Sequence, residues 1–205
     1  MGFELQIFQI VVLVFSAIIH EYMHGWTANQ MGDSTAKNAG RLTLNPIPHI
    51  DPIGSVLLPS LMILGNVGFV FGWAKPVPFN PYNLRDQKWG SAKVAAAGPL
   101  SNFIVALSFG LILRFAPITN DFFALALGII VYINLLLMVF NLIPIPPLDG
   151  SKILLPLLPY HWQEKFYRLE QYGFIIILVF VYFGFSLILP IIGGLFSLIT
   201  GQRIF

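Results

Sequence analysis

The sequence predicts an all-α polytopic membrane protein. It should have about four transmembrane helices, a re-entrant or interfacial segment, and a small β element near the cytoplasmic face. Three observations carry this. Of 205 residues, 57% are hydrophobic and only 10% are charged, against about 25% charged in soluble domains. Mean hydropathy is +0.79. The apolar residues run in blocks of about 17–25, long enough to cross a bilayer as helix. The same composition excludes a disordered chain, which needs low hydrophobicity and high charge. Cysteine is absent, so disulfide frameworks, thiolate metal sites and cysteine nucleophiles are ruled out. A net charge of +2 makes the lipid bilayer, not nucleic acid, the expected partner. One integral membrane domain is expected over residues 1–205, with a core over 3–152 and a C-terminal helical segment over 172–200.

The first span runs from Phe3 to Met31, around a dense apolar block from Ile10 to Ile19. It does not read as a cleaved signal peptide. Met1-Gly2-Phe3-Glu4 lacks a basic n-region, and no A-x-A-like site follows the block. The second span is Val94–Leu113 and the third Phe122–Ile143. The fourth, Gly173–Ile199, is uncharged and longer than one crossing needs, so Pro190 and Gly193-Gly194 are expected to break it late. A fifth apolar stretch, Gly54–Gly72, is interrupted by Pro59, Gly65 and Gly68.

The chemistry sits in the first span. His20 and His24 are four residues apart, so a helix puts both imidazoles on one face. Two such imidazoles can share one Zn²⁺ at Zn–N of about 2.0–2.1 Å. Glu21, beside the first, can serve as general base toward a water. Ionisable residues inside an apolar helix are expensive and usually functional. A catalytic zinc also needs a third protein ligand. His49, Asp51, Asp149 and His161 are the candidates. Asp149 is the strongest, because it follows the proline-rich stretch Asn141-Leu142-Ile143-Pro144-Ile145-Pro146-Pro147-Leu148 at the end of the third span. Irregular backbone at membrane depth is tolerated where it lines a cavity.

The ordered set of His-Glu-x-x-His, Ala97-Gly98-Pro99-Leu100-Ser101-Asn102-Phe103 and Asn141-x-x-Pro-x-x-x-Leu-Asp149-Gly resembles the site-2 proteases, the intramembrane zinc metalloproteases. Gly40–Pro46 and Gly72–Pro78 are similar to the short, stand-alone prokaryotic members without PDZ or CBS domains. The resemblance implies His20, His24 and Asp149 as ligands of one zinc per chain and Glu21 as catalytic base. It implies Asn141 as a substrate-binding residue. For Asn102 it leaves oxyanion stabilisation, substrate positioning or helix packing open. It implies hydrolysis of peptide bonds within or near transmembrane segments of single-pass membrane proteins. The alternative is a catalytically silent zinc-binding chaperone or pseudoprotease, and intact Glu21 argues against it. A transporter would need further charges inside the other spans, and these spans offer only Asn134 and Asn141.

Topology follows from parity. For His20–His24 and Asp149 to meet, an even number of crossings must separate them. The second and third spans supply two, so Gly54–Gly72 is expected to be re-entrant or interfacial. One side then receives Lys37, Arg41, Lys75, Arg85, Lys88, Lys93, Lys152, Lys165 and Arg168. The other receives Arg114 and Arg203. The basic excess predicts that the site faces the cytoplasmic side of a prokaryotic cell membrane, with the N-terminus outside. Arg41–Asn45 and Val77–Asn80 are expected to form the small β element there. It could hold an unwound substrate strand by β-augmentation, or only plug the cavity.

Overall fold

The computed structural model describes residues 3–57, 60–61, 64–65 and 74–202. Among them, four helical stretches are long and apolar enough to cross a membrane: Phe3–Gln30, Gly90–Phe115, Asp121–Asn141 and Gly173–Thr200. In chain order the α-helices are α1 (Phe3–Gln30), the single turn α2 (Thr35–Asn38), α3 (Gly90–Phe115), α4 (Asp121–Asn141), α5 (Asp149–Leu154), α6 (Tyr160–Glu170), α7 (Gly173–Val179) and α8 (Phe185–Thr200).

Local sequence sets the boundaries. α3 stops where Pro117 forces the preceding residue out of the helical region, and Ala116 is extended at φ −78°, ψ 142°. α4 starts under an asparagine cap, the Asn120 side chain accepting from the Phe123 N–H at 3.0 Å. It ends at Asn141, before Pro144. α3 and α4 form the centre. Ala106 of α3 and Val131 and Leu135 of α4 pack with Ile188, Ile192 and Phe196 of α8. Gly110 lets α8 approach, because a Cβ there would overlap the Ile199 side chain. Small residues at crossings are the usual means of bringing apolar helices together in lipid. α1 lies across α3 and α4, burying Val12 against Ile129 and Ile133.

Two expectations are corrected among the described residues. No strand forms, so Arg41–Asn45 and Val77–Asn80 are not a β element. The first stretch bends at Thr43–Leu44, where the Thr43 hydroxyl accepts from the Asn45 N–H at 3.1 Å, and Pro78 in the second lacks the N–H donor a ladder needs. Side chains replace the ladder. The Arg41 guanidinium donates to the Lys75 carbonyl at 2.7 Å, and only one backbone bond, Lys75 N–H to His49 C=O at 2.9 Å, joins the two regions. The fourth span does not break at Pro190 or Gly193-Gly194. The helix runs through them to Thr200, as lipid-embedded helices tolerate. The irregular turn comes earlier, as a π-helical stretch over Phe180–Gly184. There the Phe180 ring lies where a Cβ on Gly184 would come within 2.7 Å. The re-entrant reading of Gly54–Gly72 falls largely outside the described residues; the part described begins in a π-helical turn, Pro52–Leu57.

Candidate metal centre

The C-terminal half of α1 carries His20, Glu21 and His24, and their ligand atoms lie within 4.8 Å of one another. The chain returns to them twice. α3 starts beside them and brings Val94, Gly98 and Asn102. The proline-rich turn after α4 then presents Asp149 as the first residue of α5. Asp149 Oδ2 lies 3.0 Å from His20 Nε2 and 3.2 Å from His24 Nε2. All three residues are buried. Both carboxylate–imidazole separations are close to that of two ligands on a tetrahedral zinc. With bonds of about 2.0–2.1 Å, such ligands stand roughly 3.3 Å apart. The donor set, two imidazoles and a carboxylate, is also one zinc accepts.

The other ring nitrogens are occupied. His24 Nδ1 lies 2.8 Å from the Val94 carbonyl, and His20 Nδ1 lies 2.7 Å from Asn102 Oδ1. Both partners are acceptors, so each ring carries a proton on Nδ1, and Nε2 is the nitrogen that faces Asp149. This is the outer arrangement that orients metal-binding histidines. Asn102 is fixed in turn. Its amide donates to Asn134 Oδ1 at 2.9 Å and to the Ser16 carbonyl at 3.2 Å. Asn134 donates to Ser16 Oγ and to the Ile130 carbonyl, each at 2.9 Å. Asn102 and Asn134 are fully buried, and both hydrogens of each amide are used.

Two glycines make the convergence possible. A Cβ on Gly98 would come within 2.5 Å of His24 Nε2 and 2.6 Å of His20 Nε2. A Cβ on Gly150 would overlap the Leu142 carbonyl, so Gly150 lets the turn fold back under the end of α4. A cavity of about 150 Å³ opens on the site, with His20, Glu21, His24, Asp149 and Asn141 on its wall. The Glu21 carboxylate accepts from the Val77 N–H at 2.8 Å, which holds the extended segment over the cavity. Asn141 donates to the Leu137 carbonyl one turn back at 2.9 Å.

The other ligand candidates lie elsewhere. His49 is buried in the loop, bonded through Nε2 to the Thr43 carbonyl at 2.9 Å. Asp51 caps the turn after it, accepting from the Ile53 N–H at 3.0 Å and the Gly54 N–H at 2.6 Å. His161 is exposed on α6 beside the Trp162 ring. The sequence by itself points to no individual role for Asn134, Ser16, Gly98 or Val77. Of these only Gly98 carried a signal, as part of the Gly-Pro-x-x-Asn pattern.

Comparison with known proteins agrees with this geometry. The sequence profile of peptidase family M50 matches residues 116–184, a stretch holding Asn141 and Asp149. A Bacillus subtilis protein named "Putative zinc metalloprotease YwhC" is 39% identical over 178 residues, covering 83% of this chain and 78% of its own. A Mycolicibacterium smegmatis protein with the same designation, Rip2, is 33% identical, covering 81% of this chain and 63% of its own. A Methanocaldococcus jannaschii protein so designated, MJ0611, is 38% identical over 97 residues, 45% of this chain and 50% of its own. No solved structure matches significantly.

Proposed function

The chain belongs to peptidase family M50, and from that premise we propose that it is a zinc-dependent intramembrane endopeptidase. Its substrates are single-pass membrane proteins, cut within or near their transmembrane segments. The observation that carries the reading is the meeting of His20 Nε2, His24 Nε2 and Asp149 Oδ2 next to Glu21. These residues come from two regions of chain more than a hundred positions apart.

His20, His24 and Asp149 are the residues that would hold one zinc ion. When bound, zinc supplies Lewis acidity toward a water and the scissile carbonyl. Glu21 accepts the proton of the attacking water and returns it to the leaving amine. Its carboxylate is already a hydrogen-bond acceptor for a backbone N–H, that of Val77. Asn141, on the cavity wall, positions the substrate backbone. Asn102 does not face the substrate in this scheme: both its amide hydrogens are engaged, and it sets the tautomer of His20. The excess of basic residues beside the site supports an orientation toward the cytoplasmic side of the cell membrane.

Zinc content of the detergent-purified protein tests the reading. Wild type should hold one zinc per chain, and His20→Ala and Asp149→Ala should each lose it. Glu21→Gln should keep the metal and lose cleavage, because the amide cannot take the proton. Metal retained in Asp149→Ala would move the third ligand elsewhere. Cleavage retained in Glu21→Gln would remove the base from the mechanism. A metal-loaded wild type that captures substrates without cutting them would favour the chaperone reading.

A further inference from the structure

Beside the metal cleft lies a second, larger cavity of about 400 Å³. The two share Phe79 and Lys152 on their walls. We propose that the larger cavity is a substrate subsite selective for an acidic side chain, with Lys152 as its specificity-determining residue. The proposal rests on the endopeptidase reading above.

Size gives the first reason. The metal cleft, about 150 Å³, has room for little beyond the scissile unit, since specific ligand sites usually span about 300–1,000 Å³. An extended polypeptide advances about 3.3 Å per residue. Residues flanking the scissile bond must therefore leave the cleft, and the adjoining cavity receives them on one side.

Charge gives the second. Lys152 is half-buried at the seam between the cavities, with its ammonium 5.9 Å from the Phe79 ring centroid. Among the described residues no carboxylate forms an ion pair with it; the lysine ion pair found is Lys93 with Asp86. A partly desolvated ammonium against a ring face and without an anion is a ready partner for one. Lys88 adds a second positive group to the same cavity, against the single carboxylate of Glu170.

Register gives the third. Asp149 and Lys152 are three apart on α5, so they share a face, about 4.5 Å apart along the axis. A carboxylate bonded to Lys152 then belongs to a residue roughly one to three positions from the scissile bond. Phe79, Phe166 and Tyr167 supply apolar walls for the side chains around it. An anionic lipid headgroup could also meet a lysine near α6. It would have no need of a residue shared with the metal cleft, whereas a substrate segment must pass that residue.

The test uses the full-length protein in vesicles with single-span substrates that differ at one residue. Glu, Gln or Lys is placed in turn at each of the three positions on either side of the scissile bond. For wild type, one position should show Glu cleaved about tenfold more efficiently (kcat/KM) than Lys. Lys152→Glu should invert the preference at that position alone, and Lys152→Met should flatten it, with zinc content unchanged in both. Inversion by charge exchange is a result that a merely structural lysine would not produce. Equal cleavage of every substrate by wild type overturns the subsite while leaving the endopeptidase intact. So does a uniform loss in both Lys152 variants. A lysine effect that follows the anionic-lipid content of the vesicles, and not the substrate residue, assigns the cavity to lipid. A zinc-loaded wild type that cuts no substrate removes the endopeptidase reading, and the subsite with it.

Discussion

Gly98 is a glycine because two imidazoles occupy the space its side chain would fill. The obstructing atoms belong to the two imidazoles that face Asp149, and they cannot give way without spoiling the convergence. Gly98→Ala should therefore fold, since alanine favours helix over glycine, yet misplace the ligands. A misplacement of about 1 Å at a reacting centre costs about a hundredfold in rate, so activity should fall by that order with helical content unchanged. Wild-type activity and zinc content in Gly98→Ala would mean the rings have room to turn. A second residue-scale prediction concerns Asn102. Asn102→Leu removes the acceptor for His20 Nδ1 and the amide donor to Asn134 Oδ1 and to the Ser16 carbonyl. Loss of an outer partner of a metal-binding histidine typically costs about 10–100-fold in metal affinity. Zinc competition with a chelator should report that loss, and Asn134→Ala should show a smaller loss in the same direction. Unchanged affinity in both variants would reduce the network to helix packing.

At the scale of elements, the segment over the site is held by side chains where a sheet was expected. Asp33, just after α1, is fully buried. Its carboxylate accepts from the Thr35 N–H at 3.1 Å, the Asn80 N–H at 2.6 Å and the Asn83 amide at 2.9 Å. Burial pushes its carboxyl up, but the hydrogen bonds outweigh that and hold it below the ordinary carboxylate range. A carboxyl lowered by folding stabilises the protein above its unfolded pKa of about 3.9, and the contribution is lost as pH falls toward and through the lower folded value. Asp33→Asn should cost about 1–3 kcal/mol near neutrality. The gap in Tm between wild type and variant should shrink as pH drops below about 4. A gap independent of pH would show that the carboxylate charge is not what staples the loop.

These elements also show what a sequence can disclose. The helical spans and the His20–His24 pair of α1 are legible because they depend on spacing within one segment. Asp149 is legible through its motif. Asn134 is not, since its partners Asn102 and Ser16 stand 32 and 118 positions away and nothing nearby marks it. The β element beside the site was not legible, because the bend at Thr43–Leu44 and the missing N–H of Pro78 prevent pairing, and the actual fastening, Asp33 and Arg41, is a set of long-range side-chain bonds without a periodic trace.

Across the whole molecule, burial is uneven in a way that water would not allow. Half of the most apolar window of α4 is buried, but only 22% of that of α1 and 11% of that of the Gly173–Thr200 stretch. Large apolar side chains such as Phe15, Phe183 and Leu187 are exposed. A patch of that extent marks a surface solvated by something other than water, and lipid suits helices with apolar outer faces. The charges then sort by end of the bundle. Lys88, Lys93 and Lys152 lie near the metal centre. Arg114, in the last turn of α3, donates to the Leu198 carbonyl at 2.7 Å at the opposite end. By the positive-inside tendency, the metal end is expected on the cytoplasmic side. The absence of native cysteine makes this directly measurable with a membrane-impermeant maleimide. Thr119→Cys, in the connection after α3, should label on intact cells. Lys165→Cys, exposed on α6, should label only after permeabilisation. The reverse pattern would turn the molecule over and open the metal cleft, with its adjoining cavity, to the outside. The two cysteines labelling from one side would be incompatible with an odd number of crossings between residues 119 and 165, which the placement of Asp149 after α4 requires.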